Sequence, residues 1–261
     1  MEFKYIIYKK ENDGVAIIIL NRPDALNAFN KEVINEVLIA LEDAEEDENV
    51  RVVVLTGAGE KAFSAGADIK AMKEMTPLKA RELSLMGNKL CGAIEDFGKP
   101  VIAAINGYAL GGGLEVAMAC DLRLASEKAR MGQTEINIGL IPGWGGTQRL
   151  TRLIGKTRTK ELVFTGKMID AKTAEQWGLI NMVLPSDGFM EHVKKFAAEL
   201  AKKAPVALRI AKSLIDKGAD VDLEVALALE REGFAVVAST EDLQEGVTAF
   251  MERRKPEFKG R

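Results

Sequence analysis

The chain of 261 residues reads as an α/β protein that ends in a helical region. Three observations predict that class. Short apolar runs alternate with helix-patterned segments through about residue 185, the order of strands joined by helices. The run from Val50 to Thr56 is rich in valine and suits a strand covered on both faces. From Gly188 onward the pattern is almost entirely helical.

Taken in order, Phe3 to Tyr8 and Val15 to Leu20 are expected strands, joined by a turn at Asn12-Asp13-Gly14, a strong hairpin signal. A polar loop follows Pro23. Val33, Ile34, Val37, Leu38, Leu41 and Ala44 recur at helical spacing, which predicts a helix from about Lys31 to Asp47 with Asn30 as its N-cap. The strand Val50 to Thr56 leads into a Gly/Ala-rich loop, Gly57 to Ala67, and helical segments then run to about Glu95. Pro100 to Ile105 is another short apolar strand. It meets Gly107, the glycines at 111 to 113 and a small-residue helix reaching Cys120, with Leu122 to Ala125 as the next strand. Farther on, Pro205 opens a helix and Gly218 closes it. Val221 to Val237 carries more apolar side chains than one amphipathic stripe requires, which predicts packing against something beyond its own core. The expected division is an α/β core over residues 1–187 and a helical region over 188–261.

Composition excludes several classes. With 47% hydrophobic residues the chain can bury one sizeable core plus an appended piece. The formal net charge of −3 lacks the basic excess of a nucleic-acid binder. No stretch approaches the ~20 apolar residues of a membrane span. Met1 to Lys10 has no signal-peptide core, so a cytoplasmic location is expected. Cys91 and Cys120 lack metal-ligand spacing and are expected as buried, reduced thiols. His192 lies in a polar helical stretch and is expected at the surface.

Two loops stand out because each follows a core strand, where open α/β sheets place their ligand sites. They are KAFSAGADIK, Lys61 to Lys70, and GYALGGGLE, Gly107 to Glu115. Both are so poor in side chains that backbone N–H groups are the main binding groups on offer. On adjacent strands, two such loops would aim two donors at one oxygen. The glycine run admits three readings: a phosphate cradle, a close-packing turn or an oxyanion hole. It lacks the G-x-G-x-x-G spacing and a Walker lysine-serine pair. Glu115, two residues past the last of the glycines, favours the oxyanion reading, although a glutamate there also complements a helix dipole. A second acid, Glu135, stands with Gln133 and Asn137 among apolar neighbours in GQTEINIGLIPGWGGTQRL, Gly132 to Leu150. Spacing alone leaves Glu135 either a site residue or an ordinary exposed acid.

These segments occur in one order with NRPDALNA (Asn21 to Ala28), PVIAAINGYALGGGLE (Pro100 to Glu115) and TEDLQEGVTAFMERRKPEFKG (Thr240 to Gly260). Over nearly its whole length the chain thereby resembles the enoyl-CoA hydratase (crotonase) family. The resemblance implies a crotonase-like core of repeated β-β-α units and a helical C-terminal region that assembles trimers or dimers of trimers. It implies that the N–H groups of Ala67 and Gly112 form the oxyanion hole, and that Glu115 and Glu135 hold the catalytic water. Ala65, Asp68, Ile69, Lys70 and Gly143 match substrate- or CoA-binding positions. Phe258 and Lys259 match residues that approach the CoA adenine region, of a neighbouring subunit. By analogy Met72, Met75, Leu83 and Met86 surround the acyl pocket. Two positions depart from the family pattern: Asp24 replaces a common lysine, which removes one CoA phosphate contact, and Thr134 replaces a common proline.

The activity so implied is a hydro-lyase reaction between a short-chain trans-2-enoyl-CoA and the (3S)-3-hydroxyacyl-CoA. An acyl-CoA thioester is the expected partner, with no nucleic acid and no membrane. No metal or redox cofactor is implied, because backbone donors supply the electrophilic assistance. A Δ3-Δ2-enoyl-CoA isomerase would share the oxyanion hole. A non-catalytic RNA-binding homologue would share the fold. The retained acid pair weighs against both, and the absent basic excess against the second.

Overall fold

A computed structural model of the chain describes residues 2–73 and 75–261, with residues 71 and 72 described by their backbone alone. The chain opens with β1 (Ile6–Lys10), β2 (Val15–Leu20) and α1 (Lys31–Glu46). Three β-β-α units follow: β3 (Val52–Gly57), β4 (Ala62–Ser64) and α2 (Pro77–Glu95); β5 (Val101–Ile105), β6 (Tyr108–Leu110) and α3 (Gly112–Ala119); β7 (Leu122–Ser126), β8 (Arg130–Gly132) and α4 (Gly146–Thr165). Then come β9 (Ile169–Asp170), α5 (Ala171–Gln176) and β10 (Met182–Leu184). The helices α6 (Phe189–Ala201), α7 (Pro205–Gly218), α8 (Leu223–Ala238) and α9 (Glu241–Glu252) complete the chain.

Within each unit the first strand joins one sheet and the second joins another. The larger sheet has the order β1-β2-β3-β5-β7-β10, antiparallel at β1–β2 and parallel elsewhere. The smaller has the order β4-β6-β8-β9, with β8–β9 antiparallel. The valine-rich run is central in the larger sheet, and alternate side chains enter two separate cores. Val53 and Leu55 pack with α1, α2 and α3, while Val52 and Val54 lie under Phe189, Val193 and Ala197 of α6. Burial on both faces is why that strand carries no polar alternation.

The local signals explain most boundaries. Asn30 caps α1 by accepting the Val33 N–H at 2.8 Å. The first strand is displaced from the expected Phe3 to Tyr8, because the amides of Lys4, Tyr5 and Ile6 all donate to the Glu36 carboxylate on α1. Those groups serve the helix, and ladder pairing instead runs to Lys10, opposite Ala16. The segment expected as a loop, Gly57 to Ala67, contains β4. Strands of two or three residues such as β4, β6, β8 and β9 are too short for an alternation to register. Cys91 and Cys120 are buried free thiols, and His192 is exposed.

Beyond α6 the packing changes. Lys212 of α7 ties to the core through Asp121 and the Ile94 carbonyl. The helix α8 buries none of its residues and leaves Leu223, Val225, Phe234 and Val236 exposed. No helix among the described residues is long and apolar enough to cross a membrane.

Candidate active site

The two glycine-rich loops converge because their strands are neighbours twice, β3 beside β5 and β4 beside β6. Gly66 turns its loop with φ +96°, and a Cβ there would lie 2.8 Å from the Leu110 carbonyl oxygen and 3.0 Å from Gly112 N. Residues 65 to 68 are clamped against 26 to 29: Ala65 N donates to Leu26 O, Phe29 N to Gly66 O and Asp68 N to Phe29 O. That ladder skips the N–H of Ala67. The N–H of Gly112 begins α3, where a helix has no internal acceptor. A Cβ on Gly112 would stand 3.4 Å from Ala67 N, so the two amides lie side by side. Both residues line a cavity of about 460 Å³, together with Glu115 and Glu135.

Glu115, in the first turn of α3, is 1% exposed. Its Oε1 accepts the N–H of Trp144 at 2.7 Å and of Gly146 at 2.6 Å, at the start of α4. Burial pushes its pKa up, while those amides, the nearby Arg149 and the Gly143 amide oppose the shift. Glu135 opens a 3₁₀ turn, Glu135–Ile138. Burial raises its pKa to about 7; its own amide opposes and the charge of Glu115 adds to the rise. Gln133 is fully buried beside it. In the orientation that satisfies both groups, its amide nitrogen donates to the two Glu135 oxygens at 3.0 and 3.1 Å. Two carboxylates of unlike surroundings therefore line one cavity, and the charge of one raises the pKa of the other.

Leu83 and Ser84 of α2, with Pro142, Gly143 and Trp144, also line the cavity. Trp144 is 3% exposed, and its indole Nε1 donates to Leu83 O at 3.1 Å. A Cβ on Gly87 would collide with that indole. Sequence reasoning missed Trp144; the available signal was a bulky ring set among glycines in PGWGG.

Ala65, Ala67, Ile69 and Met75 are shared with a second cavity of about 920 Å³. Asp24, Asp68 and Lys70 line this outer cavity, as does Lys73, which the sequence did not single out. The Asp68 carboxylate is committed to Arg22 at 2.9 Å and to the Lys70 amide at 3.2 Å. Burial works against that carboxylate, yet Arg22 and the amide hold its pKa below the usual range. Met86 packs against the core, and the Met72 side chain lies outside the described residues. Phe258 and Lys259 line neither cavity: Phe258 stands beside Gly246, and Lys259 N donates to Asp242 at 2.6 Å.

Comparison with known proteins agrees with this architecture. Residues 10–261 match the family model described as enoyl-CoA hydratase/isomerase. The chain is 47% identical to a short-chain-enoyl-CoA hydratase of Clostridium acetobutylicum, covering 100% of both chains. It is 41% identical to a crotonyl-CoA hydratase of Syntrophomonas wolfei, covering 99% of both. Among solved structures, an enoyl-CoA hydratase from Bacillus anthracis superposes with a TM-score of 0.95 at 42% identity, over 99% of this chain and 100% of that one. The fold is thus crotonase-like, and the chain belongs to the enoyl-CoA hydratase/isomerase family.

Proposed function

We propose that the protein is a short-chain enoyl-CoA hydratase that interconverts trans-2-enoyl-CoA and (3S)-3-hydroxyacyl-CoA. The observation that carries this reading is the meeting of two carboxylates and two adjacent backbone N–H groups in one cavity. The thioester oxygen accepts from Ala67 and Gly112, which stabilise the enolate charge that develops there. A water sits between Glu115 and Glu135. Glu115 takes a proton from this water as its oxygen bonds to C3, and Glu135 gives a proton to C2. Dehydration is the same path reversed. Electrophilic assistance comes from the backbone, so the reaction needs no resident cofactor.

A cavity of about 460 Å³ lined by Leu83 and the Trp144 ring supports a short acyl chain. The outer cavity, with Lys70 and Lys73, suits the phosphates of CoA. Exposed apolar side chains on α8 support self-association into trimers or pairs of trimers, which light scattering tests. A neighbouring subunit would then be the route by which Phe258 and Lys259 reach a CoA.

The decisive assay gives the purified protein crotonyl-CoA without cofactor. The ultraviolet absorbance of the conjugated thioester should fall as water saturates the double bond. A protein that leaves crotonyl-CoA untouched but conjugates a 3-enoyl-CoA is an isomerase, and the proposal is then wrong.

A further inference from the structure

The turn that holds Glu115 has an anchor of its own. Arg149, the fourth residue of α4, donates from Nη1 to the Trp144 carbonyl oxygen at 2.8 Å. Its Nε and Nη2 donate to Oε1 and Oε2 of Glu95, the last residue of α2, both at 2.5 Å. Such a two-pronged pair fixes orientation as well as distance. Gly145 has φ +100°, and a Cβ there would collide with Arg149 Nη1. Trp144 is therefore gripped from both sides of its backbone, its N–H by Glu115 and its carbonyl by Arg149. Arg149 and Glu95 are absent from the cavity lining, so neither side chain is placed to touch substrate.

We propose that Arg149, oriented by Glu95, is a positioning residue for Glu115: it locks the turn whose amides bind the carboxylate and sets a positive charge behind it. The inference rests on reading Glu115 as the group that takes the proton from water. The ionisable groups around Glu115 are Glu135 in the same cavity, Cys91 and Glu95 from α2, and Arg149 from α4. Burial pushes the Cys91 thiol up to about 12, so it stays neutral in the working range. Arg149 opposes the desolvation that raises Glu115, and Glu95 favours the charged form of Arg149.

Three substitutions separate the grip from the charge. Arg149→Lys keeps the charge and loses the fork. Arg149→Met loses both. Glu95→Gln keeps the shape and removes one negative charge. Wild type and Glu115→Gln are assayed first on crotonyl-CoA; an inactive wild type, or a fully active Glu115→Gln, condemns the functional reading rather than this one. Given that reading, Arg149→Met should lower kcat about 10–10²-fold, the scale of a small misplacement, with KM nearly unchanged. The acidic limb of its kcat/KM profile should also rise by about half a pH unit, less than the 1–3 units of a direct charge neighbour. Arg149→Lys should lose kcat with the limb in place, and Glu95→Gln should move the limb to lower pH. A folded Arg149→Met with wild-type kcat and an unmoved limb overturns the proposal. If Arg149→Met does not fold, Glu95→Gln decides, and an unmoved or raised limb is then fatal.

Discussion

Glu115 and Glu135 line one cavity but are held by different means. Glu115 is fixed by backbone: its oxygen takes two amides at the start of α4, and an arginine stands behind that turn. Glu135 sits on a short 3₁₀ turn and is held by one side chain, the buried amide of Gln133. Burial pushes both pKa values up. The amides and Arg149 work against the shift at Glu115, whereas the charge of Glu115 adds to it at Glu135. The contrast supports the proposed division, with Glu135 as the acid and Glu115 as the base, between two chemically identical groups.

Removing either carboxylate tests that division most severely. Glu115→Gln and Glu135→Gln should each lower kcat by about 10²–10⁴-fold, the usual yield of a positioned acid or base. Binding of a saturated acyl-CoA should be nearly unchanged. Because both act on one water, the double variant should lose far less than the product of the two losses, as steady-state kinetics will read.

The pH profile is the next test. In the proposed reaction the working form carries one proton on the pair and serves both directions, since the ratio of forward and reverse kcat/KM is the equilibrium constant. Both directions should therefore share one bell. Its upper limb marks loss of the last proton from the pair, at about 7 by the environment of Glu135. Above that limb activity should fall about tenfold per unit, the slope of a single titrating group. A plateau well above the limb would break the assignment.

Trp144 separates backbone from side chain on the Glu115 side. Its amide holds the carboxylate while the residue also lines the cavity. Trp144→Leu keeps the amide and shortens the ring. The kcat/KM ratio of octenoyl-CoA to crotonyl-CoA should then rise about tenfold, the discrimination that a methylene or two gives in an apolar pocket. An unchanged ratio in a folded variant would move the chain-length limit elsewhere.

The smallest effect expected belongs to the Glu135 side. Gln133→Leu removes a donor to its ionised form, so the pKa of Glu135 rises further. The upper limb should move to higher pH by about half a unit, while the lower limb stays in place. A shift of the lower limb instead would mean that the two environments are not separate.

Much of the fold was legible because its signals are local. The Asn30 cap, the helical stripe of α1 and the valine-rich β3 each depend on neighbours in sequence. The short strands β4, β6, β8 and β9 were not legible, because a strand of three residues is defined by its partner. At the site, glycine-rich loops after core strands pointed to backbone donors, and the motifs pointed to Glu115 and Glu135. Arg149, Glu95, Gln133 and Trp144 went unremarked in any functional sense. Trp144, Arg149 and Glu95 act through contacts between residues far apart in the chain, such as Trp144 with Leu83 and Glu115. The Gln133 contact with Glu135 depends on how both side chains turn in the fold.

By itself the sequence determined the α/β class, the glycine loops and the family, since these depend on residue type and spacing along the chain. Tertiary structure decided which strands became neighbours twice, and so brought Ala67 N beside Gly112 N. It also decided how the two acids differ. A pKa depends on desolvation and on charges within a few ångströms, and those distances exist only once the chain has folded.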